Sequence, residues 1–412
     1  MRLSGILLLL CLFGPLSYAQ VEEQVDVGVL EIWVKVTDKE GKAISDLTSE
    51  DFKLQIDGQP AELRCFDKSF EDAVSVSNPD QGRKFVFFFD LLNTLPGDME
   101  FLKNSVTRFI LDSFRENDQG MVFALLPTAN LGVVQKMTSN RQALVMVVRK
   151  MRGNMSLSAS IDSNEKQLLD VLYPLDTTSD GANPLAGRGV GTRPVQNFHA
   201  AQSLARNFAA QEENRSRLTL NTFTSIARHL SETQIQGHVA LLYISGGFPI
   251  NPGEQYFEMV QQLIEEQFAA GSGDLAMIDR PNFNFQYDIR RTIGALNRMN
   301  VTIYSMDAKG LLMNARGAEM DSVQAARGLK TFSRNLQLQD SLVLVARETG
   351  GLSFTNGQDY RKGLADIVRD MNEQYLLCAD LSGSKKKDGY HEIEVKVARP
   401  GVRVRHRKGY VD

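Results

Sequence analysis

The sequence predicts an α/β fold: a mostly parallel sheet flanked by helices, inserted into a small β-sandwich built from strands at both ends of the chain. Three observations predict it. Residues 85–90 read Phe85, Val86, Phe87, Phe88, Phe89, Asp90, and five consecutive apolar residues leave no wet face, as in a strand covered on both sides. Helix-like and strand-like segments then alternate at close spacing, an order that implies parallel pairing through right-handed crossovers. Residues 25–70 and 373–412 carry short strands, and the first group alone is too small to close a core.

The totals bound the rest. The chain has 412 residues, 42% of them hydrophobic, and a formal net charge of -4. That allows two or three cores and argues against a dedicated nucleic-acid binder. Arg2, an apolar run over residues 5–13 and Ser17, Tyr18 and Ala19 form a secretory signal, cleaved after Ala19, that is too short to span a bilayer comfortably. Cys11 lacks the small residues that precede a lipidated cysteine. A secreted or periplasmic protein without a transmembrane segment is expected. Cys65 and Cys378 remain in the mature chain, and they either pair as a disulfide or stay as two buried thiols at apolar strand positions. Five scattered histidines offer no zinc-ligand spacing.

In chain order, Val29, Leu30, Ile32, Val34 and Val36 form a partly alternating strand, Asp38 to Gly41 a turn, and residues 52–56 a second strand. Asp57 and Gly58 turn the chain into residues 61–66. Residues 71–84 are polar and form a linker. The α/β domain spans residues 85–372. It has helical spacing at 99–114 and 141–151 and strands at 121–126, 239–244 and 301–306. Periodicity fades from 154 to 196, a mobile insertion whose glycine-rich part, 177–194, superficially resembles a phosphate loop but follows no strong strand. Helical pattern returns at 199–229, around 259–264 and 289–296, and at 336–348, where Gly350 and Gly351 act as a stop. A helix at 364–372 and strands at 375–379, 390–397 and 402–405 complete the chain, and these strands can pair with the N-terminal ones.

Asp90, Asn93, Thr94, Thr128, Asn130, Ser245 and Asp307 all follow strands at their carboxyl ends, where open α/β sheets place a ligand crevice. The plain alternative is that they cap helices and satisfy loop amides, with Asp90 capping the helix near Met99. Ser245 followed by Gly246 and Gly247 raises a serine hydrolase, with His199, His229 or His238 as base. Tyr243, however, stands where a nucleophile elbow needs glycine.

Four local patterns together resemble one family. They are residues 46–52 with Asp57 and Gly58, the 85–90 strand, residues 304–311, and residues 348–351 leading to Arg407, Lys408, Gly409 and Tyr410. The chain is similar to the VWFA-related domain family of secreted bacterial proteins over about residues 26–412. That resemblance implies a von Willebrand factor A fold, Rossmann-like, without an assigned activity. Characterised A domains hold a divalent cation at a metal-ion-dependent adhesion site. Asp90 fits its first aspartate and Thr94 replaces its second serine, while Leu92 cannot ligate. Ser245 stands where a second aspartate belongs, and Thr219 or Thr222 takes the place of the threonine. The resemblance therefore implies a degenerate site of Asp90, Thr94 and Ser245 with at most weak Mg²⁺. The expected function is a non-catalytic module that binds a protein partner or mediates adhesion. The alternatives are a structural envelope scaffold and, least supported, a hydrolase using Ser245.

Overall fold

A computed structural model describes residues 29–69, 82–172, 194–269, 278–281, 285–309, 322–355, 360–380 and 389–411. The signal at 1–19, most of the 71–84 linker and nearly all of the glycine-rich stretch lie outside the described residues. Among the described residues, no helix is long and apolar enough to cross a membrane.

The chain opens with β1 (Val29–Thr37), β2 (Phe52–Ile56), β3 (Gln59–Ala61) and β4 (Leu63–Ser69), and closes with β11 (Gln374–Asp380), β12 (Tyr390–Val397), β13 (Arg403–His406) and β14 (Gly409–Val411). These eight pair antiparallel in two sheets, ordered β13-β1-β11-β4 and β14-β12-β2-β3. Ile32, Val34, Tyr375 and Leu377 of one sheet meet Phe52, Leu54, Ile393 and Val395 of the other in a shared core. N-terminal and C-terminal strands thus supply each other's missing partners. Cys65 on β4 and Cys378 on β11 stand opposite each other, Cα atoms 4.8 Å apart, and are joined as a disulfide. Two buried thiols are not what the fold provides, because Cys65 lies on an exposed edge-strand position. Peptide mapping of the unreduced protein is expected to recover the two cysteine peptides as one linked species; separate alkylated peptides would show that the pair is open.

Between the two groups of strands lies a sheet of six, ordered β10-β9-β8-β5-β6-β7. β5 (Lys84–Asp90), β6 (Gln119–Leu125), β8 (Val239–Ser245), β9 (Val301–Asp307) and β10 (Ser353–Phe354) run parallel. β7 (Leu131–Thr138) runs antiparallel on the edge. The phenylalanine run explains why β5 is central. Phe85, Phe87 and Phe89 face a core with α1 (Pro96–Ser113), α2 (Arg141–Arg149) and α8 (Tyr360–Asn372), while Val86 and Phe88 face α4 (Pro194–Glu232), α6 (Phe285–Arg298) and α7 (Ser322–Glu348). All five are fully buried, as the period-two geometry of a strand between two helical layers requires.

β7, α7 and the helix over Met155–Leu172 differ from the sequence reading, and the short strands β10 and β14 are additions to it. β7 is absent from that reading because its Gly132, Gln135 and Lys136 dilute the apolar alternation. Over Met155–Leu172, assigned above to a mobile insertion, the chain is a helix, α3. Its serine-rich first turns hide the period, and Leu168 and Leu172, flanked by the half-buried Leu169 and Val171, reach a satellite core with Phe198, Ala201, Phe208 and residues of α5 (Glu254–Ala269). α7 likewise starts well before residue 336. Its stop does match: Gly350 takes φ 77° and its N–H bonds Arg347 O, while Gly351 N–H reaches back to Ala346 O, the pattern of a left-handed helix terminus.

The sandwich is seated at the amino ends of the parallel strands. Trp33 of β1 stacks on His238, just before β8, with ring centroids 4.8 Å apart. Asn300, just before β9, donates to Glu31 Oε2 at 2.7 Å. The buried Arg407 guanidinium donates to the carbonyls of Asn297, at the end of α6, and Glu31, and to Asn300 Oδ1. Burial brings its pKa down to about 10, opposed by the charge of Glu31. Asn297 Nδ2 in turn holds Glu348 O at 3.1 Å and Gly409 O at 2.6 Å. Arginine and amide thus complete two helix carboxyl ends whose carbonyls lack intrahelical partners. The opposite, carboxyl-end rim of the sheet faces away from the sandwich.

Candidate functional site

Strand register builds this rim. Phe88 pairs with Tyr243 and Phe89 with Ile244, so Asp90 follows level with Ser245, and Ser245 pairs with Asp307. Three polar residues thus end three adjacent strands at one height. Each is fully buried, so each needs partners or costs free energy.

Asp90 is the hub. Its Oδ1 accepts the Asn93 backbone N–H at 3.2 Å. Its Oδ2 accepts Asn93 Nδ2 at 2.9 Å, the Tyr243 hydroxyl at 3.0 Å and the Ser245 hydroxyl at 2.9 Å. Burial pushes the Asp90 pKa up, and the donors from Asn93, Ser245 and Tyr243 oppose that push. Thr94 is held through the same residue, its hydroxyl donating to Asp90 O at 2.8 Å and accepting Gly246 N–H at 3.1 Å. Ser245 Oγ accepts Gly247 N–H at 3.0 Å. Asn93 extends the network to α4, donating to Thr219 Oγ1 at 2.9 Å. Thr222 is not part of it, because its hydroxyl returns to Leu218 O within the helix.

Asp307 belongs to a neighbouring group. Its Oδ1 accepts Lys309 N–H at 3.0 Å and its Oδ2 accepts Gln339 Nε2 at 2.6 Å. Burial raises its pKa. Lys309 bends over Gly246 and donates through Nζ to Asn335 Oδ1 at 3.0 Å. A Cβ on Gly246 would lie 2.4 Å from Asn93 O and 3.4 Å from Lys309 Cε, so only glycine leaves room for both. Burial lowers the Lys309 pKa to about 8, against the opposing charges of Asp307 and Asp98. Asp98, in the first turn of α1, is pushed up to about 6 by burial. Its Oδ2 is buried without a hydrogen-bond partner among the described residues.

Asp90, Asn93, Thr94 and Ser245 therefore come together, and Asp307 stands beside them in register without bonding to Asp90. Thr128 does not join them. β6 is followed by a tight turn, with Leu126 N–H bonded to Asn130 O and Ala129 at φ 64°, which carries Thr128 to an exposed tip where Asn130 Nδ2 donates to its hydroxyl at 3.4 Å. The expectation that Thr128 lines the crevice assumed a crossover after β6, and the antiparallel hairpin replaces it. Tyr243 escaped the sequence reading because it sits inside an apolar strand, although its spacing of two from Ser245 puts both on one face. Lys309 and Asp98 carried no signal, since each looks like an ordinary surface charge.

The donor set does not fit a divalent cation in this arrangement. An ionised carboxylate has about four lone-pair sites, and Asp90 already receives four donors. The hydroxyls of Thr94 and Ser245 each donate one bond and accept another, and both residues are fully buried. Mg²⁺ requires near-octahedral oxygen at short range, and these residues supply one carboxylate and two hydroxyls whose oxygens already share their lone pairs with donors of the protein. No other group of three or more His, Cys, Asp or Glu side chains suited to a metal occurs among the described residues.

Among the described residues, no histidine stands beside Ser245. Ser245 Oγ is committed to Asp90. His199 is exposed on α4, His229 sits edge-on to Phe123 with centroids 5.4 Å apart, and His238 is at the opposite end of the sheet against Trp33.

No protein-family model matches the chain, and no curated protein matches it. Among solved structures it is similar to an aerotolerance-related membrane protein from Bacteroides fragilis, at 9% identity and TM-score 0.30 over 71% of this chain and 99% of that one. It is also similar to three N-terminal domains of the type V pili tip protein Mfa5 from Porphyromonas gingivalis, at 7% identity and TM-score 0.31 over 87% and 69%. The conserved hypothetical protein BatB from Bacteroides thetaiotaomicron gives 14% identity and TM-score 0.19 over 62% and 100%. Scores this low carry no argument about function, which rests on the residues of this chain.

Proposed function

We propose that the chain is a secreted or periplasmic, non-catalytic binding module of von Willebrand A type that presents the carboxyl-end rim of its parallel sheet to a protein partner. One observation carries this reading: Asp90, Asn93, Thr94 and Ser245 are bonded to one another, and Ser245 donates to Asp90 rather than to a histidine. Such a rim has shape, charge and exposed apolar residues to offer, and its serine is held as a donor to a carboxylate. Met155 is 86% exposed and Leu336 42% exposed. Met155 follows Asn154, which bonds Thr94 O at 2.6 Å, and Leu336 follows the Asn335 that holds Lys309. Methionine is enriched at protein interfaces, whose polar groups lie at the rim of an apolar centre.

Photo-crosslinking residues at positions 155 and 336, expressed in the native host, are expected to trap one common protein. A residue at position 53, on the exposed side of β2, is not. Crosslinks from position 53 as strong as those from the rim would favour the envelope scaffold, in which the sandwich makes the contacts. The hydrolase reading has its own test. A fluorophosphonate is expected to leave Ser245 unlabelled, and stoichiometric labelling there would establish a reactive serine and overturn the non-catalytic assignment.

A further inference from the structure

We infer that Lys309 is the resident cation of the rim: its ammonium supplies, from within the chain, the positive charge that an ion-dependent site takes from a dissociable metal, so that the rim works without divalent ions. This goes beyond the binding role proposed above and holds whether or not a partner docks there.

Several independent features point to it. The Asp90 carboxylate, the residue that a metal site would use first, accepts four donors from the protein itself, three of them on Oδ2. Past the end of β9, Lys309 lies across Gly246, the residue after Ser245, where a Cβ would meet Asn93 O at 2.4 Å. An ammonium is unfavourable in such an enclosed place unless oxygens surround it. Here Asn335 Oδ1 accepts directly from Nζ, Asp307 is tied to the Lys309 backbone, and the charges of Asp307 and Asp98 both act on the ammonium. Among the described residues Asp98 has a buried oxygen that no hydrogen-bond donor reaches, and the charge of Lys309 opposes the effect of burial on it. Asp307 on β9 and Asp98 on α1 act on each other as like charges, and Lys309 acts on both as the opposite charge.

The inference makes Lys309 a positioning residue whose removal creates a cation requirement that the parent lacks. The test is thermal unfolding of the full chain at constant ionic strength, in chelator, in Mg²⁺ or Mn²⁺, and in ethylammonium. The parent is expected to melt at the same temperature in all of them. Lys309→Ala is expected to melt lower in chelator and to recover most of the loss in Mn²⁺ or ethylammonium, with no recovery in sodium chloride of equal strength. Lys309→Gln, which keeps the stem as far as Cδ and replaces the ammonium by a shorter neutral amide, is expected to show the same recovery from a smaller loss and serves if the alanine variant does not fold. Calorimetric titration of the parent with Mn²⁺ is expected to give no binding heat, and this stands without any variant. A parent that binds Mn²⁺ in a manner abolished by Asp90→Ala overturns the inference. So does a Lys309→Gln protein that melts like the parent in chelator and ignores every cation. No partner enters these measurements, so their failure is separable from failure of the binding role.

Discussion

Asp90→Ala is expected to destabilise the protein by about 3 kcal/mol, measured by urea unfolding in the presence of a chelator. The substitution leaves two hydroxyls, an amide and a backbone N–H without their acceptor in a fully buried place. Each stranded buried donor costs roughly 1–3 kcal/mol, and the sum is less than additive because hydroxyls can rotate. Removing a buried charge returns part of the loss, as the upward push of burial on the Asp90 pKa shows. The result separates two roles for the residue. A hub that ties β5 to β8 is missed with or without ions, whereas a metal ligand is missed only when its ion is present. Unchanged stability in chelator would remove Asp90 from the structural role given to it here.

Arg407→Ala is expected to cost about 3–5 kcal/mol and to uncouple the sandwich from the α/β sheet. Its guanidinium serves acceptors from three places at once, Asn297, Asn300 and Glu31, at a site where water does not reach. Arg407→Lys should recover little of the loss, because an ammonium cannot reproduce the planar fork. The chain offers its own reporter, since its single tryptophan, Trp33, stacks on His238 across this junction. In the parent, Trp33 fluorescence and far-ultraviolet circular dichroism should change together with urea. In the alanine variant the fluorescence change should come first, the signature of a lost two-state transition. Coincident curves at the parent midpoint would mean that the arginine does not hold the two parts together.

Much of this architecture was legible because burial on both faces is a composition signal. The run from Phe85 to Phe89 permits only a central strand, and the ends of β5, β8 and β9 at Asp90, Ser245 and Asp307 follow from where the apolar runs stop. Glycines at 350 and 351 were readable for a similar reason, since a helix stop needs a left-handed residue. A Cβ on Gly350 would also lie 2.6 Å from the His406 backbone. What was not legible depends on pairing rather than pattern. The hairpin that carries Thr128 away from the rim is decided by an edge strand with weak alternation, and α3 by two leucines in a long polar stretch. The saturation of Asp90 by Tyr243 and the approach of Lys309 to Gly246 join residues more than 60 positions apart, which no local spacing encodes. The resemblance pointed to Asp90, Thr94 and Ser245, which the fold brings together, but it gave no sign of the amide and phenol donors from Asn93 and Tyr243 on the same carboxylate.

The central claim is that Asp90 is an internally satisfied hub and that the rim carries its own cation. It is tested most directly by a crystal of the parent grown with saturating Mn²⁺, using the anomalous signal of the metal. The account predicts no anomalous peak within bonding reach of Asp90, with its four donors in place and Lys309 over Gly246. A Mn²⁺ ion at about 2.0–2.2 Å from Asp90, with Ser245 or Thr94 completing its shell, would contradict it.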